Sequence, residues 1–321
     1  MPRAIEVRTG ARLHFGPLAS GATAGRCFGG IGMMVSDPAI AFRAVEHDVE
    51  RCVDCSPETS ERIRRLMQAW TIDSPISWEF DTPPVEHAGF GTGTQLSLAV
   101  AAVLALREGQ PHPDLSEIAQ RCGRGRRSAI GLHGFAQGGF LVDAGQAGQG
   151  ALGELAVRLP IPEAWRIVIL RPRHSDAGLS GVQELAAFEA LAPMAPAMTD
   201  RLCRLTLMEI LPALQAGDCD AFRSSVAEYG RAIGGYFAPV QGGLFADGRV
   251  RELVDQCPTL GQQWVQSSWG PSVVAFAASE SAAEEFRRDL FQQVSPEEWT
   301  VTIAVPRNEG ATIRAVSGPG H

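Results

Sequence analysis

The chain opens with alternating apolar and polar positions. Residues 4–8 read as a strand, and GIGMMVS and AIAFRAVE read as two more, joined at Asp37-Pro38 by a hairpin-type turn. Over residues 58–69 the spacing becomes helical, with Ile63, Leu66 and Met67 on one side. PISWEF alternates again. Residues 96–106 are an apolar run broken only by Ser97, the pattern of a buried helix. PDLSEIAQRC then starts another helix, with Asp114 and Glu117 at the spacing of a capping box. GGFLVDAG is a short buried strand ended by glycines.

Residues 145–153, GQAGQGALG, are a loop of small and polar residues, and the domain boundary is placed after 152, giving segments 1–152 and 153–321. ELAVRL and WRIVILRP are strands. VQELAAFEAL, MTDRLCRLTLMEILPAL, CDAFRSSVAEYGRAI and GRVRELVDQ follow with helical patterns. A turn at Trp269-Gly270-Pro271-Ser272 leads into the strand VVAFAAS, the amphipathic SAAEEFRRDLFQQV and the strand WTVTIAV. Strands and helices interleave in both halves, so the class is α+β or α/β. No internal repeat is visible, and the tail SGPGH is expected to fray.

Composition narrows the chemistry. With 321 residues, 45% apolar and 20% charged, the chain is an ordinary globular one. A net charge of −8 argues against a general nucleic-acid binder. There is no lysine: all 28 basic residues are arginines. Lysine Schiff bases and a P-loop lysine are therefore excluded, and any phosphate clamp must use guanidinium forks or backbone amides. The charged N-terminus has no signal-peptide core, and the apolar run is too short to span a bilayer, so a cytoplasmic protein with no membrane partner is expected. Cys52 and Cys55 form a CxxC pair without a second pair at zinc spacing, so the seven cysteines are expected to be buried thiols.

In HAGFGTGTQLSLAVA, Gly89, Gly91 and Gly93 crowd against the start of the apolar helix, with Thr92, Thr94 and Gln95 among them. The segment is either a tight turn or an anion site, in which backbone N–H groups face a phosphate without a Cβ in the way.

Three separated motifs resemble one superfamily. HAGFGTGTQLSLAVA is similar to the phosphate loop and helix of the GHMP small-molecule kinases, SSWGPSVVAF to their glycine-rich third motif, and NEGATI to their closing strand. Within that superfamily, GARLHFGPL, RCFGGIGMMV, GFGTGTQLSLAVA and GRGRRSAIGLHGFAQGGFLVDAG resemble the beta-ribofuranosylaminobenzene 5'-phosphate synthase family. Many of the kinases carry a catalytic carboxylate in the last region, whereas here Ser128 to Gly139 contains no Asp or Glu. The resemblance implies a two-domain α+β fold of GHMP type with a ferredoxin-like C-terminal domain. It also implies a decarboxylating transfer of phosphoribose from phosphoribosyl pyrophosphate to 4-hydroxybenzoate or 4-aminobenzoate, in methanopterin biosynthesis. An ATP-dependent GHMP kinase and a non-catalytic anion sensor are the alternatives.

That reaction needs a pyrophosphate cradle, anion anchors and stabilisation of charge on the ring. Gly89, Gly91, Thr92, Gly93, Thr94 and Gln95 are the expected cradle. Arg12, Arg26 and the cluster Arg124, Arg126 and Arg127 are the expected anchors, since bidentate guanidiniums suit carboxylate and phosphate alike. His14, His133 and His87 are the candidate catalytic histidines, a neutral imidazole being able to take a proton from the ring substituent. His47, His112 and His321 lie in polar segments and are bystanders. RPRHSDAGLSG, with His174, Ser180 and Glu184, reads either as a substrate loop of the second half or as a loop and N-capped helix. Magnesium is expected with pyrophosphate, with Asp143, Asp176 and Glu184 as candidate ligands, and no organic cofactor. The partners are small molecules, and a homodimer is compatible with the reading.

Overall fold

The computed structural model describes residues 4–21, 25–72, 74–110, 113–125, 127–148, 150–175, 181–257 and 262–316. Arg126, Asp176, Ser180, His112, His321 and the SGPGH tail lie outside the described residues.

Two sheets organise the chain. The first contains β1 (Ala4–Gly16), β2 (Gly30–Glu46), β3 (Arg51–Val53), β4 (Ile76–Thr82), β5 (Phe140–Asp143), β6 (Leu155–Leu159) and β11 (Thr312–Val316). Its main path runs β11-β1-β2-β4-β3, with β5 beside β2 and β6 beside β5. The second contains β7 (Arg166–Pro172), β8 (Val265–Gln266), β9 (Val273–Ala277) and β10 (Trp299–Ala304), in the order β10-β7-β9-β8. The first sheet thus takes β6 and β11 from beyond residue 152.

Two strand expectations change. β1 does not stop at Arg8 but continues to Gly16, because Ala11, Leu13 and Phe15 keep alternating into the core. β2 is one strand, not a hairpin at Asp37-Pro38. Both of its halves pair with β1, as Thr9↔Ile40 and Ala11↔Val35, so the residues between bulge out and the strand direction is kept.

In the first half, α1 (Pro57–Ala69) is capped by Ser56 and buries Ile63, Leu66 and Met67 as expected. α2 (Thr92–Arg107) is buried nearly all round, and it starts four residues ahead of the apolar run. α3 (Leu115–Arg121) is capped by Asp114, which accepts from Ser116 N. Glu117 faces Arg121 at 3.7 Å, so the expected capping box is reduced to its first half. α4 (Ile130–Gln137) was hidden in the sequence by Gly131 and Gly134, both poor helix formers. Close packing explains them: a Cβ on Gly134 would lie 2.5 Å from Met34 Sδ.

In the second half, α5 (Gly181–Ala190) is followed by α6 (Pro196–Leu205) and α7 (Leu211–Ala216), which join through a π turn at Thr206–Ile210. Pro212 has no N–H for Met208 and would clash with its carbonyl, and the wider turn absorbs both defects. α8 (Cys219–Gln241), α9 (Gly248–Gln256) and α10 (Glu280–Leu290) follow among the described residues.

One apolar core joins the two sheets. It packs Leu13, Phe15 and Met33 of the first against Ile167, Phe222, Tyr229 and Phe276 of the second half. A separate core lies between the first sheet and α1 and α2. All seven cysteines are free, and burial pushes the Cys52 thiol up to about 12, away from reactive thiolate. Among the described residues no helix is long and apolar enough to cross a membrane.

Candidate active site

Arg12 is the centre of the arrangement. Alternation along β1 puts Arg12 and His14 on the face opposite Leu13 and Phe15. The Arg12 backbone N–H donates to Phe90 O at 2.8 Å, which lays the glycine-rich loop along β1. Gly91 follows in the left-handed conformation, φ +61°, as the N-cap of α2. A Cβ there would lie 2.8 Å from Arg12 Nε, so glycine is what lets the guanidinium reach the helix start. Gly131, in the first turn of α4, faces the same side chain: its Cβ would be 3.5 Å from Arg12 Cδ and 3.2 Å from Thr94 Cγ2. Two helix N-termini therefore converge on one arginine. Their first turns carry the positive dipole ends, with Thr94 N donating to Gly91 O at 2.9 Å and Ile130 N to Ser128 Oγ at 3.3 Å.

Three more arginines surround this point. Arg62 of α1, which the sequence did not single out, lies over Gly93, with Nη1 3.1 Å from where a Cβ would be. Arg124 donates to Gly93 O at 3.2 Å and to Ser97 Oγ at 3.0 Å. Arg127 pairs with Glu184 of α5 at 3.0 Å and lies 5.4 Å over the Phe188 ring. Glu184 also attracts Arg12 and Arg124. Burial, more than the neighbouring guanidiniums, brings Arg12 and Arg124 down to about 10, which leaves both cationic at neutral pH. Nε of Arg12, Nε of Arg124 and Nη1 of Arg127 are buried without a hydrogen-bond acceptor. Unused donors in a positive field suit a multiply charged oxyanion.

His14 adjoins the cluster. It is 8% exposed, and its Nε2 is buried without a partner. Burial, then the charge of Arg12, holds the imidazole well below its usual range, so it is neutral. The missing side chain of Gly30 leaves the space in front: a Cβ there would be 2.9 Å from Nε2. The other two candidate histidines lie elsewhere. His133 Nε2 is 2.9 Å from Gly153 O, which ties α4 to the 145–153 loop. His87, half exposed, meets Glu58 Oε2 at 2.8 Å on the α1 side.

The remaining candidates divide between pocket and frame. Thr92 Oγ1 donates to Val85 O at 2.6 Å, and Gln95 bridges Gly131 O at 2.8 Å and Thr9 Oγ1 at 3.0 Å. Their side chains hold the loop, and Gln95 N also donates to Gly91 O at 3.1 Å, so what the pair can offer an anion is the Thr92 backbone N–H. Gly89, φ +79°, is needed for close approach: a Cβ would lie 2.6 Å from Ser267 O. Arg26 donates to Ala144 O and Gly145 O and pairs with Glu154 at 2.8 Å, clamping a loop instead of joining the cluster. His174 is exposed, and its carbonyl accepts from Arg249, beside the Ser175–Asp247 hydrogen bond, whereas Glu184 belongs to the cluster.

Among the described residues the donor set makes no protein-built metal cage. Asp143 accepts from Ala129 N at 2.6 Å and from Gly145 N at 2.8 Å, one bond to each oxygen, and Glu184 faces Arg127. Among the described residues no three His, Cys, Asp or Glu side chains gather where they could hold a metal ion.

The other family-like motifs brace this site. Ser267 Oγ donates to Gly89 O at 2.7 Å and accepts from His14 N at 3.2 Å, and Ser272 Oγ donates to Ala88 O at 2.6 Å. At the far end of α4, Ala311 N donates to Phe135 O at 2.7 Å, and Asn308 exchanges two 2.8 Å hydrogen bonds with Ile161.

No family model matches the chain. A beta-ribofuranosylphenol 5'-phosphate synthase of Methanothermobacter thermautotrophicus is 27% identical to it, over 98% of this chain and 94% of the relative. One of Archaeoglobus fulgidus is 28% identical over 96% and 99%. Among solved structures, mevalonate-3-kinase of Thermoplasma acidophilum superposes with a TM-score of 0.66 at 13% identity, over 98% of this chain and 99% of the other. Homoserine kinase of Cytophaga hutchinsonii gives 0.63 at 16%, over 98% of each. The structural likenesses establish the α+β fold of the GHMP kinases, and the sequence likenesses run through all of the quoted motifs. The chain is thus similar to beta-ribofuranosylphenol 5'-phosphate synthases along nearly the whole of both chains, on the α+β fold that the GHMP kinases share.

Proposed function

We propose that the chain joins phosphoribosyl pyrophosphate to 4-hydroxybenzoate, forming a C-riboside 5'-phosphate with release of CO2 and pyrophosphate. The relatives' name specifies a phenol, which favours the hydroxy acid over 4-aminobenzoate. The product would supply a carrier of the methanopterin type. One observation carries the reading: two helix starts ringed by arginines with buried, unused donors, beside a neutral His14.

The chemistry follows from those groups. As the bond from ribose C1 to pyrophosphate breaks, its electron pair leaves with pyrophosphate, and the N–H groups at Gly91 and the guanidiniums stabilise that growing charge. The ring carbon bearing the carboxylate attacks C1 while His14 Nε2 takes the proton of the 4-hydroxyl. Cleavage of the ring–carboxylate bond releases CO2 and returns the electron pair to the ring, and His14 gives the proton back to the phenol oxygen. A guanidinium clamped on that carboxylate would oppose its departure, so the arginines are assigned to the phosphates. Magnesium enters this reading as an ion carried on pyrophosphate oxygens, and no step is routed through it.

The test is release of labelled CO2 from carboxyl-labelled 4-hydroxybenzoate by the purified protein with phosphoribosyl pyrophosphate and magnesium. 4-Aminobenzoate is run in parallel, and ATP replaces the ribosyl donor as a control. Release that depends on the ribosyl donor, and is faster with the hydroxy acid, is expected. No release from either acid by folded protein would overturn the transferase.

A further inference from the structure

We infer that the start of α2 is a two-armed diphosphate site, in which Arg62 and Arg124 hold the second phosphoryl group at Gly93 while Arg12 and Arg127 hold the first at Gly91. The inference rests on the transferase reading of the same site and assigns it two residues outside the glycine loop.

The cluster divides by position. Arg12 lies against Gly91 and Gly131, and Arg127 joins it through the shared attraction of Glu184. Arg62 lies against Gly93 on the α1 side, with Nη1 and Nη2 3.1 and 3.5 Å from the absent Cβ. Arg124 reaches Gly93 O from α3's trailing loop and keeps a buried, unaccepted Nε. Each arm has its own ion-paired carboxylate, although the field of Glu184 also reaches Arg124. Glu184 pairs with Arg127, and Glu58 pairs with Arg62 at 3.0 Å. Gly91 and Gly93 are two residues apart along the helix, a rise of about 3 Å, which is the scale separating the phosphoryl groups of a diphosphate. A lone phosphate touches one arm, whereas pyrophosphate spans both. The glycine at 93 has its own reason here, since its φ is not left-handed and its Cβ would meet only the Arg62 guanidinium.

Calorimetric titration of the full chain with pyrophosphate and with orthophosphate tests this. The wild type is expected to bind pyrophosphate more tightly by at least about tenfold. Arg62→Gln is expected to weaken pyrophosphate by about tenfold with orthophosphate unchanged. Glu58→Gln, which releases Arg62 from its counter-ion, is expected to tighten pyrophosphate. Arg62→Gln with unchanged pyrophosphate affinity and unchanged Tm would overturn the second arm while leaving the helix-start site standing. Equal losses of both anions would make the site undivided and overturn it as well. Should Arg62→Gln not fold, a Glu58→Gln variant that fails to tighten pyrophosphate has the same force. Absence of pyrophosphate binding by the wild type would instead overturn the transferase reading, and the arms with it.

Discussion

Gly91 and Gly93 stand two residues apart at one helix start, under different constraints. At Gly91 the left-handed φ and the 2.8 Å approach to Arg12 both exclude a side chain. Gly91→Ala is expected to lose about 1 kcal/mol of stability from the torsion alone, and turnover on the order of 10²-fold as Arg12 is displaced. Gly93→Ala meets only the movable tip of Arg62 and gains helix propensity, so its Tm is expected to hold or rise. Thermal denaturation beside steady-state turnover checks both, and a Tm loss confined to Gly93→Ala would reverse the assignment. The histidines separate in the same way. His14→Asn is expected to reduce kcat by about 10²–10⁴-fold, the range of general acid–base catalysis, with pyrophosphate binding kept. His133→Asn is expected to lower Tm through the lost Gly153 contact, with a smaller change in kcat. The reverse pattern in the two variants would move the base to His133.

At the scale of elements, the site is a junction of α2, α4 and β1. Gln95 ties all three, donating to Gly131 O and accepting from Thr9 Oγ1 while wholly buried. Gln95→Leu would leave a buried carbonyl and a buried hydroxyl without their partner, so a loss of about 1–3 kcal/mol is expected. Chemical denaturation would show it as a lower midpoint with an unchanged m-value. A variant as stable as the wild type would mean that α2 and α4 hold their positions by apolar packing alone. The SSWGPS turn and the NEGA segment, which in sequence read as signatures of a superfamily, are braces in the structure. The first grips the glycine loop through Ser267 and Ser272, and the second grips the end of α4.

For the whole molecule, the buried His14 makes stability depend on pH. In the unfolded chain an imidazole titrates near about 6.5, but in the folded protein burial and Arg12 keep it neutral to well below that. Below the unfolded value the unfolded state therefore binds the extra proton, and stability falls as pH drops, until the folded imidazole itself protonates. Above about pH 6.5 both states are neutral and the effect vanishes. Denaturation from pH 8 to 5 is expected to show this fall, and His14→Gln to flatten it; an unchanged slope in that variant would place the titrating group elsewhere. The same global packing separates what was legible in the sequence from what was not. Periodicity and turn residues are local, so most elements and the glycine loop at the start of α2 could be read directly, and the motif order carried the fold. The sequence also determined that any phosphate clamp would use guanidinium forks or backbone amides, because no lysine is present. Only the tertiary structure decided which arginines form it. Arg62 and Arg124, 62 positions apart in sequence and on separate elements, meet at Gly93, while Arg26, inside a family-like motif, turns to a loop. It likewise decided among the histidines, since whether an imidazole is neutral and unpartnered depends on the groups folding brings around it, and no spacing along the chain encodes those.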